Sequence, residues 1–268
     1  NPKKTKHIFE KLVKWDGKKI ISNLGYYRPF FTNLSSDLIK DLKKYSREDI
    51  AAGLQNHCES IVVKFVKYWL KKMSQKNVNS ICLAGGLFAN VKINQKIKEI
   101  KGVKNLFVFP HMGDGGLTVG AACNLYFKKF KKSKIRLKHV NYGPGYNDKE
   151  IKDQLNKFRK KIFFKKYKNI KNEIVKKLID EKVVGFFQGR MEFGPRALGS
   201  RSILFHTKDK YVNDWLNKRL KRTEFMPFAP VTTEKLASKC FINWKKSDSC
   251  TPYMTQTFKC KKNFIKNN

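Results

Sequence analysis

The stretch at residues 183–203, VVGFFQGRMEFGPRALGSRSI, constrains this chain more than any other. Its apolar opening, residues 183–187, predicts a buried strand. The run breaks at Gly189. Gly194, Pro195 and Gly199 then forbid a regular helix and allow backbone to come close to a ligand. The loop so defined carries Arg190, Arg196 and Arg201. A planar guanidinium suits two-pronged recognition of phosphate or carboxylate. A strand feeding such a turn is a candidate anion pocket; the plainer alternative is a surface turn with solvated charge.

The distribution of arginine favours the pocket. Of 59 Lys+Arg, only nine are arginine, and five of these (Arg190, Arg196, Arg201, Arg219 and Arg222) fall between 190 and 222. Lysine is spread throughout, and a merely compositional charge would not cluster in this way. The net charge of +38 ordinarily points to nucleic acid. Here the excess is lysine beside abundant Asn and Ile, which reads as a translation bias. No stretch reads as a zinc finger, a basic zipper or an aromatic RNA-binding strand pair. A solvated lysine coat follows, with nonspecific polyanion binding at low salt. Hydrophobic residues make up 41% of the chain, which is enough for a real core and excludes a disordered basic chain.

The six cysteines are scattered, and none forms CxxC, so a zinc knuckle has no support. Cys82 and Cys123 sit in apolar segments and are expected to be small core residues. The even spacing of Cys240, Cys250 and Cys260 is only a weak pointer to metal. A reducing, cytoplasmic setting is expected, and no signal peptide or membrane span is visible.

In chain order, residues 1–45 are polar and mixed and are expected to be irregular. Ser46 caps a long helix, with acids in its first turn and apolar residues at helical spacing over 50–73. His57 on that helix has no second histidine at a chelating offset and reads as a surface or packed residue. Residues 80–86, SICLAGG, predict a short strand ending in two glycines, followed by a helix over 87–100. Strand, glycine pair and helix N-terminus together make a nucleotide-binding corner, though such a turn is common on its own. Asn90 either faces the ligand or is a solvated polar residue. A second corner follows: a strand over 103–109, then PHMGDGG, then a helix over 117–126. Asp114 there either caps the helix or binds a metal or an activating water, with His111 a lesser ligand candidate. No Walker A sequence occurs, which excludes a P-loop ATPase.

Residues 127–138 read as a basic linker. NYGPG at 141–145 is a turn cluster, and the domain boundary is placed there, dividing the chain into 1–138 and 139–268. Helices over 148–158 and 172–181, with a strand near 162–164, then suggest another α/β unit leading into the arginine stretch. A helix over 211–220 precedes Lys221 and Arg222. The two prolines around Phe228 stiffen the following segment, which can press Lys221 and Arg222 against the same anion.

These motifs carry a resemblance. GRMEFGPRALGSRSIL, with LAGGLFAN, HMGDGGLTVGAA and NKRLKRTEFMPFAP in the same order, resembles the O-carbamoyltransferases of the nodulation-protein and antibiotic-biosynthesis type, over about residues 47–254. The resemblance implies an α/β fold, the second lobe of an actin-like, RNase H-like (Kae1-like) domain followed by a YrdC-like domain. It implies that the YrdC-like domain makes carbamoyl-adenylate from carbamoyl phosphate and ATP. The Kae1-like domain then passes the carbamoyl group to an acceptor hydroxyl on a sugar or natural product. By position, Arg190, Arg196, Arg201, Ser202, Lys221 and Arg222 would bind carbamoyl phosphate and ATP, with Arg196 and Arg201 as catalytic residues and Glu192 orienting an arginine. Gly85, Gly86, Asn90 and Gly113 would form the nucleotide corner. Asp114 matches a metal-ligating aspartate, for iron or magnesium.

The chain departs from that family's pattern in lacking an HxxxH pair, the first RNase H-like lobe and an HxDGTxR segment. It is therefore expected to be an internal piece, impaired on its own. A homodimer is expected by resemblance only. The competing readings are a tRNA threonylcarbamoyl-type transferase and a noncatalytic polyanion-binding protein.

Overall fold

The computed structural model describes residues 1–23, 25–26, 34–73, 76–131, 134–135, 137–206, 211–221 and 228–264. It is a mixed α/β structure of two compact units. The first comprises Asn1–Asp114 with Ser247–Phe258, and the second Gly115–Lys246 with Lys259–Asn268. Each is taken by itself.

The first unit opens with α1 (Lys6–Leu12), an antiparallel pair β1 (Val13–Trp15) and β2 (Ile20–Ser22), and α2 (Ser36–Leu42). The expectation of irregular structure over 1–45 is thus corrected. Ile8, Phe9 and Leu12 recur at helical spacing and bury together with Leu38, a periodicity too short to stand out among lysines. The long helix is borne out as α3 (Arg47–Lys72), and the Ser46 Oγ accepts the Asp49 N–H as its cap. α1 and α3 approach closely at Gly53, where a Cβ would lie 1.9 Å from Thr5 Oγ1 and 3.1 Å from the Phe9 ring.

Next come the strand β3 (Ser80–Leu83), a 3-10 turn (Gly86–Ala89), α4 (Val91–Lys98) and β4 (Asn105–Val108). β3 and β4 pair in parallel, Leu83 opposite Val108. The helix expected over 87–100 starts later because Gly85, at φ 115°, turns the chain into a 3-10 turn, and Asn90 then caps α4. The core lies here: Ile93, Ile97 and Val108 are fully buried among Val62, Leu83 and Leu106. Cys82 is exposed, not a core residue, because the alternation of β3 sends Leu83 inward. Residues 247–258 complete this unit. Cys250 buries its side chain against Leu106, Asn94 Nδ2 donates to the carbonyls of Phe88 and Thr255 at 2.7 Å, and Lys98 pairs with Asp248 at 3.1 Å.

The second unit holds α5 (Gly116–Phe130), α6 (Asp148–Lys157), α7 (Ile170–Ile179), the antiparallel pair β5 (Val184–Phe187) and β6 (Arg201–Leu204), α8 (Val212–Arg219) and α9 (Glu234–Cys240). α5 runs four residues past its expected end and absorbs the start of the expected basic linker. Its last turn is rich in lysine, which suits the negative end of the helix dipole. Cys123 on α5 is half-buried. No strand forms at 162–164; Phe163 stands 92% exposed, and among the described residues no strand pairs with this segment. β5 is not a buried strand either. Val184 and Phe186 are half-buried, while Phe187 is 54% exposed, the one-sided alternation of an antiparallel pair.

The crowding at Gly53 gives a decisive test of sign. In an open helix interior, alanine is favoured over glycine by about 1 kcal/mol. At Gly53 the overlap with Thr5 should win, so Gly53→Ala should lower stability by about 1–3 kcal/mol net in urea unfolding. A gain in stability would contradict the close approach of α1 and α3.

Candidate functional site

The arginine loop, residues 188–200, joins β5 to β6. Its centre is Glu192, whose side chain is wholly buried. Glu192 Oε1 accepts the N–H groups of Leu198 at 2.7 Å and Ser200 at 2.6 Å, and Oε2 accepts Arg201 Nε at 3.2 Å. The loop must curl back to bring those donors to one carboxylate. Gly194 and Gly199 supply the turns, at φ 118° and 111°. Burial pushes the Glu192 carboxyl up, but the bonds from Ser200, Leu198 and Arg201 outweigh it and hold the group below the usual carboxylate range.

The guanidinium groups are anchored, not loose. Arg201 Nη2 donates to the carbonyls of Gly194 and Arg196. Arg190 donates through Nε to the Gly143 carbonyl at 2.8 Å and through Nη2 to the Tyr142 carbonyl at 2.9 Å. A guanidinium carries five N–H donors, so each keeps others for a ligand. Ser202 lies at the loop's exit and its Oγ accepts the Gly199 N–H at 3.1 Å. The structure thus places Arg190 and Arg196 on the loop, with Arg201 and Ser202 as the first two residues of β6. An open cleft of about 560 Å³ beside it is lined by Gly145, Tyr146, Asn147, Gly189 and Arg190. Lys221 is exposed after α8 in a left-handed conformation, and among the described residues no hydrogen bond joins it to the loop. Arg222 lies outside the described residues, as do residues 223–227 of the stiff segment expected there.

The sequence reads NYGPG as a turn cluster at a domain boundary. In the structure it straps the arginine loop. Asn141 Nδ2 donates to the Arg190 carbonyl at 3.1 Å and Ser200 Oγ at 2.8 Å. The backbones of Gly143 and Met191, and of Met191 and Pro144, also bond. A Cβ on Gly143 would lie 2.8 Å from Met191 Cβ and 3.0 Å from its carbonyl oxygen. The signal available in the sequence was two glycines flanking a proline, a mark of close backbone approach.

In the first unit the two glycine corners meet at the carboxyl ends of the parallel strands, where open α/β sheets bind ligands. The Gly85 N–H donates to the Met112 carbonyl at 2.6 Å, joining one corner to the other. Gly85 and Gly86 are exposed, and no side chain or backbone lies within 4 Å of a Cβ built on Gly85, Gly86 or Gly113. Asn90 is half-buried. Its Oδ1 accepts the Lys92 and Ile93 N–H groups, and its Nδ2 donates to Gln55 Oε1 at 2.7 Å. Asp114 is exposed in the turn before α5. Among the described residues no three His, Cys, Asp or Glu side chains gather as a metal site. The residues present offer one carboxylate, which does not make up a metal site by itself. His57 is packed, its Nε2 2.7 Å from the Val13 carbonyl.

The depressed Glu192 carboxyl fixes the direction of a pH effect. A group with a lowered folded-state pKa contributes stability that is fully present above its unfolded value, about 4.3. That contribution is lost as pH falls through the folded value. The amide resonances of Leu198 and Ser200 should therefore move together only below about pH 4.3 in an NMR titration. A shared transition above that would show that Glu192 is not held as a carboxylate.

Two family models match the chain: the carbamoyltransferase N-terminus over residues 10–123 and the carbamoyltransferase C-terminus over residues 175–267. An uncharacterized protein of Methanocaldococcus jannaschii is 37% identical over 239 residues, covering 85% of this chain and 43% of that protein. Nodulation protein NolNO of Sinorhizobium fredii is 28% identical over 228 residues, 81% of this chain and 33% of its own length. Nodulation protein U of Azorhizobium caulinodans is 28% identical, over 72% of this chain and 33% of its own. The chain thus spans between a third and somewhat under half the length of these relatives. No helix among the described residues is long and apolar enough to cross a membrane. The arginine loop falls inside the C-terminal match, the glycine corners fall inside the N-terminal one, and the chain belongs to the carbamoyltransferase family.

Proposed function

We propose that the protein is an ATP-dependent O-carbamoyltransferase. It hydrolyses carbamoyl phosphate with one water to carbamate and phosphate, a carbamate oxygen then attacks the α-phosphorus of ATP and expels pyrophosphate to give carbamoyl-adenylate, and the carbamoyl group passes to an acceptor hydroxyl on a sugar or natural product with release of AMP. The observation that carries this is the framed arginine loop. Both substrates are phosphorylated, and negative charge grows on the departing pyrophosphate. Guanidinium groups already held by Glu192 and by the 142–143 carbonyls stabilise that charge without reorganising at the moment of reaction.

In this reading the YrdC-like adenylating domain falls within residues 139–268, less the segment 247–258 that packs into the first unit, and the second lobe of a Kae1-like domain falls within 1–138. Arg190, Arg196, Arg201 and Ser202 bind the phosphates, joined by Lys221 and Arg222. Arg196 and Arg201 face the transition-state charge. Gly85, Gly86 and Gly113 leave the carboxyl ends of β3 and β4 open to the adenosine of the second step, and Asn90 shapes that corner by capping α4. Asp114 offers one carboxylate towards a divalent metal, iron or magnesium, and the described residues supply no set of three ligands around it. A cytoplasmic setting, a homodimer and a merely nonspecific affinity for nucleic acid belong to the same proposal.

The test is to incubate the natural polypeptide carrying this chain with carbamoyl phosphate and radiolabelled ATP, without acceptor. Pyrophosphate and a carbamoyl-AMP adduct should appear, and Arg196→Ala should cut the rate by about 10²–10³-fold, as loss of one preorganised donor does. No pyrophosphate, together with tight nucleic-acid binding at physiological salt, would assign the arginines to a polyanion instead.

A further inference from the structure

A loop of the length of residues 188–200 between two short strands is ordinarily mobile. This one is tied at three points. Asn141, from a separate segment of the chain, reaches both ends of the loop with one amide nitrogen: the Arg190 carbonyl near its start and Ser200 Oγ at its close. Glu192 holds the interior, gathering the Leu198 and Ser200 N–H groups and the Arg201 guanidinium around one buried carboxylate. Arg190 reciprocates by clasping the carbonyls of Tyr142 and Gly143. Ser200, 8% exposed, is where the two devices meet: its N–H goes to Glu192 and its hydroxyl to Asn141. A carboxylate buried so deeply costs several kcal/mol unless it is paired and hydrogen-bonded. Glu192 therefore favours only the loop conformation that delivers all of its donors.

We propose that Asn141 and Glu192 are positioning residues that pin both ends of the arginine loop and so set Arg190, Arg196 and Arg201 in the spacing that receives an oligophosphate anion. The proposal rests on the phosphate-binding reading above and adds to it the residues that build the site without touching the ligand. Asn141 acts through Arg190 and Ser200. Glu192 acts through Arg201 and through the turn at 198–200.

The probe is inorganic pyrophosphate, titrated calorimetrically at physiological salt into the protein, into Asn141→Ser and into Glu192→Gln. Serine at 141 is too short to span both partners. Glutamine at 192 keeps the shape and can still accept from Leu198 and Ser200, but it presents an N–H group to Arg201. Displacement of a bound group by about 1 Å can cost about 10²-fold, so each variant should bind about tenfold or more weakly, with the stoichiometry per folded molecule unchanged. A purely structural role would lower the stoichiometry and leave Kd as it was. That result, or Kd within about twofold of the parent in both variants, would overturn the proposal. If Glu192→Gln fails to fold, Asn141→Ser decides the matter, since it alters a different segment. If the parent itself binds no pyrophosphate, the phosphate-binding reading fails first and takes the positioning role with it. A parent that binds, with variants that bind equally well, isolates the failure to Asn141 and Glu192.

Discussion

A carboxylate taken wholly out of water survives as a carboxylate only if the chain surrounds it with donors. Glu192 meets that condition with two backbone N–H groups and one guanidinium. The rest of the second unit's candidate chemistry follows from it. Because Leu198 and Ser200 must both point at one oxygen, the chain has to turn sharply, and glycine stands at 194 and 199. Arg201 is drawn to the other oxygen through Nε, and its Nη2 reaches the carbonyls of Gly194 and Arg196. The NYGPG strap closes the arrangement from outside, and Gly143 can take no side chain where it passes Met191. A single buried charge thus holds a loop of arginines and glycines in one conformation.

The first unit solves a different problem by simpler means. Two parallel strands, each leaving through a glycine corner, put open backbone at one end of a packed core. The core is made by the periodicity of α3 and α4 and completed by residues 247–258, which are distant in sequence. A cleft of about 780 Å³ in this unit lies at the opposite end of the strands, around Asn79 and Gly102. Ligands bind at the carboxyl ends of such sheets, which makes the glycine corners, not that cleft, the candidate site.

Much of this was legible in the sequence where local rules decide. Ser46 followed by acids marks the start of α3, and the glycine pair and Asp-Gly-Gly mark the two corners. The clustering of arginine marks the loop, and its motif marks the family. What escaped depends on contacts between distant segments. Ile8, Phe9 and Leu12 are too few to announce a helix among lysines, yet they bury together with Leu38, with Phe9 beside Gly53. Asn141 looks like any turn asparagine until Ser200 is beside it. Asn90 read as a residue open to solvent or ligand, whereas its amide is engaged by Gln55 from α3 and by the N-terminus of α4. Phe163 and Phe164 have strand-forming side chains, but among the described residues no strand pairs with them. In each case composition was ambiguous and the partner decided.

The most direct test of the account is crystallographic. Crystals of the protein soaked with inorganic pyrophosphate should show phosphorus density at the arginine loop. Its oxygens should lie within hydrogen-bonding distance of Arg196 and Arg201, and the Glu192 bonds should be unchanged. Density bound only among surface lysines, with the loop's guanidinium groups untouched at saturating pyrophosphate, would contradict the claim that this loop is a preformed phosphate site.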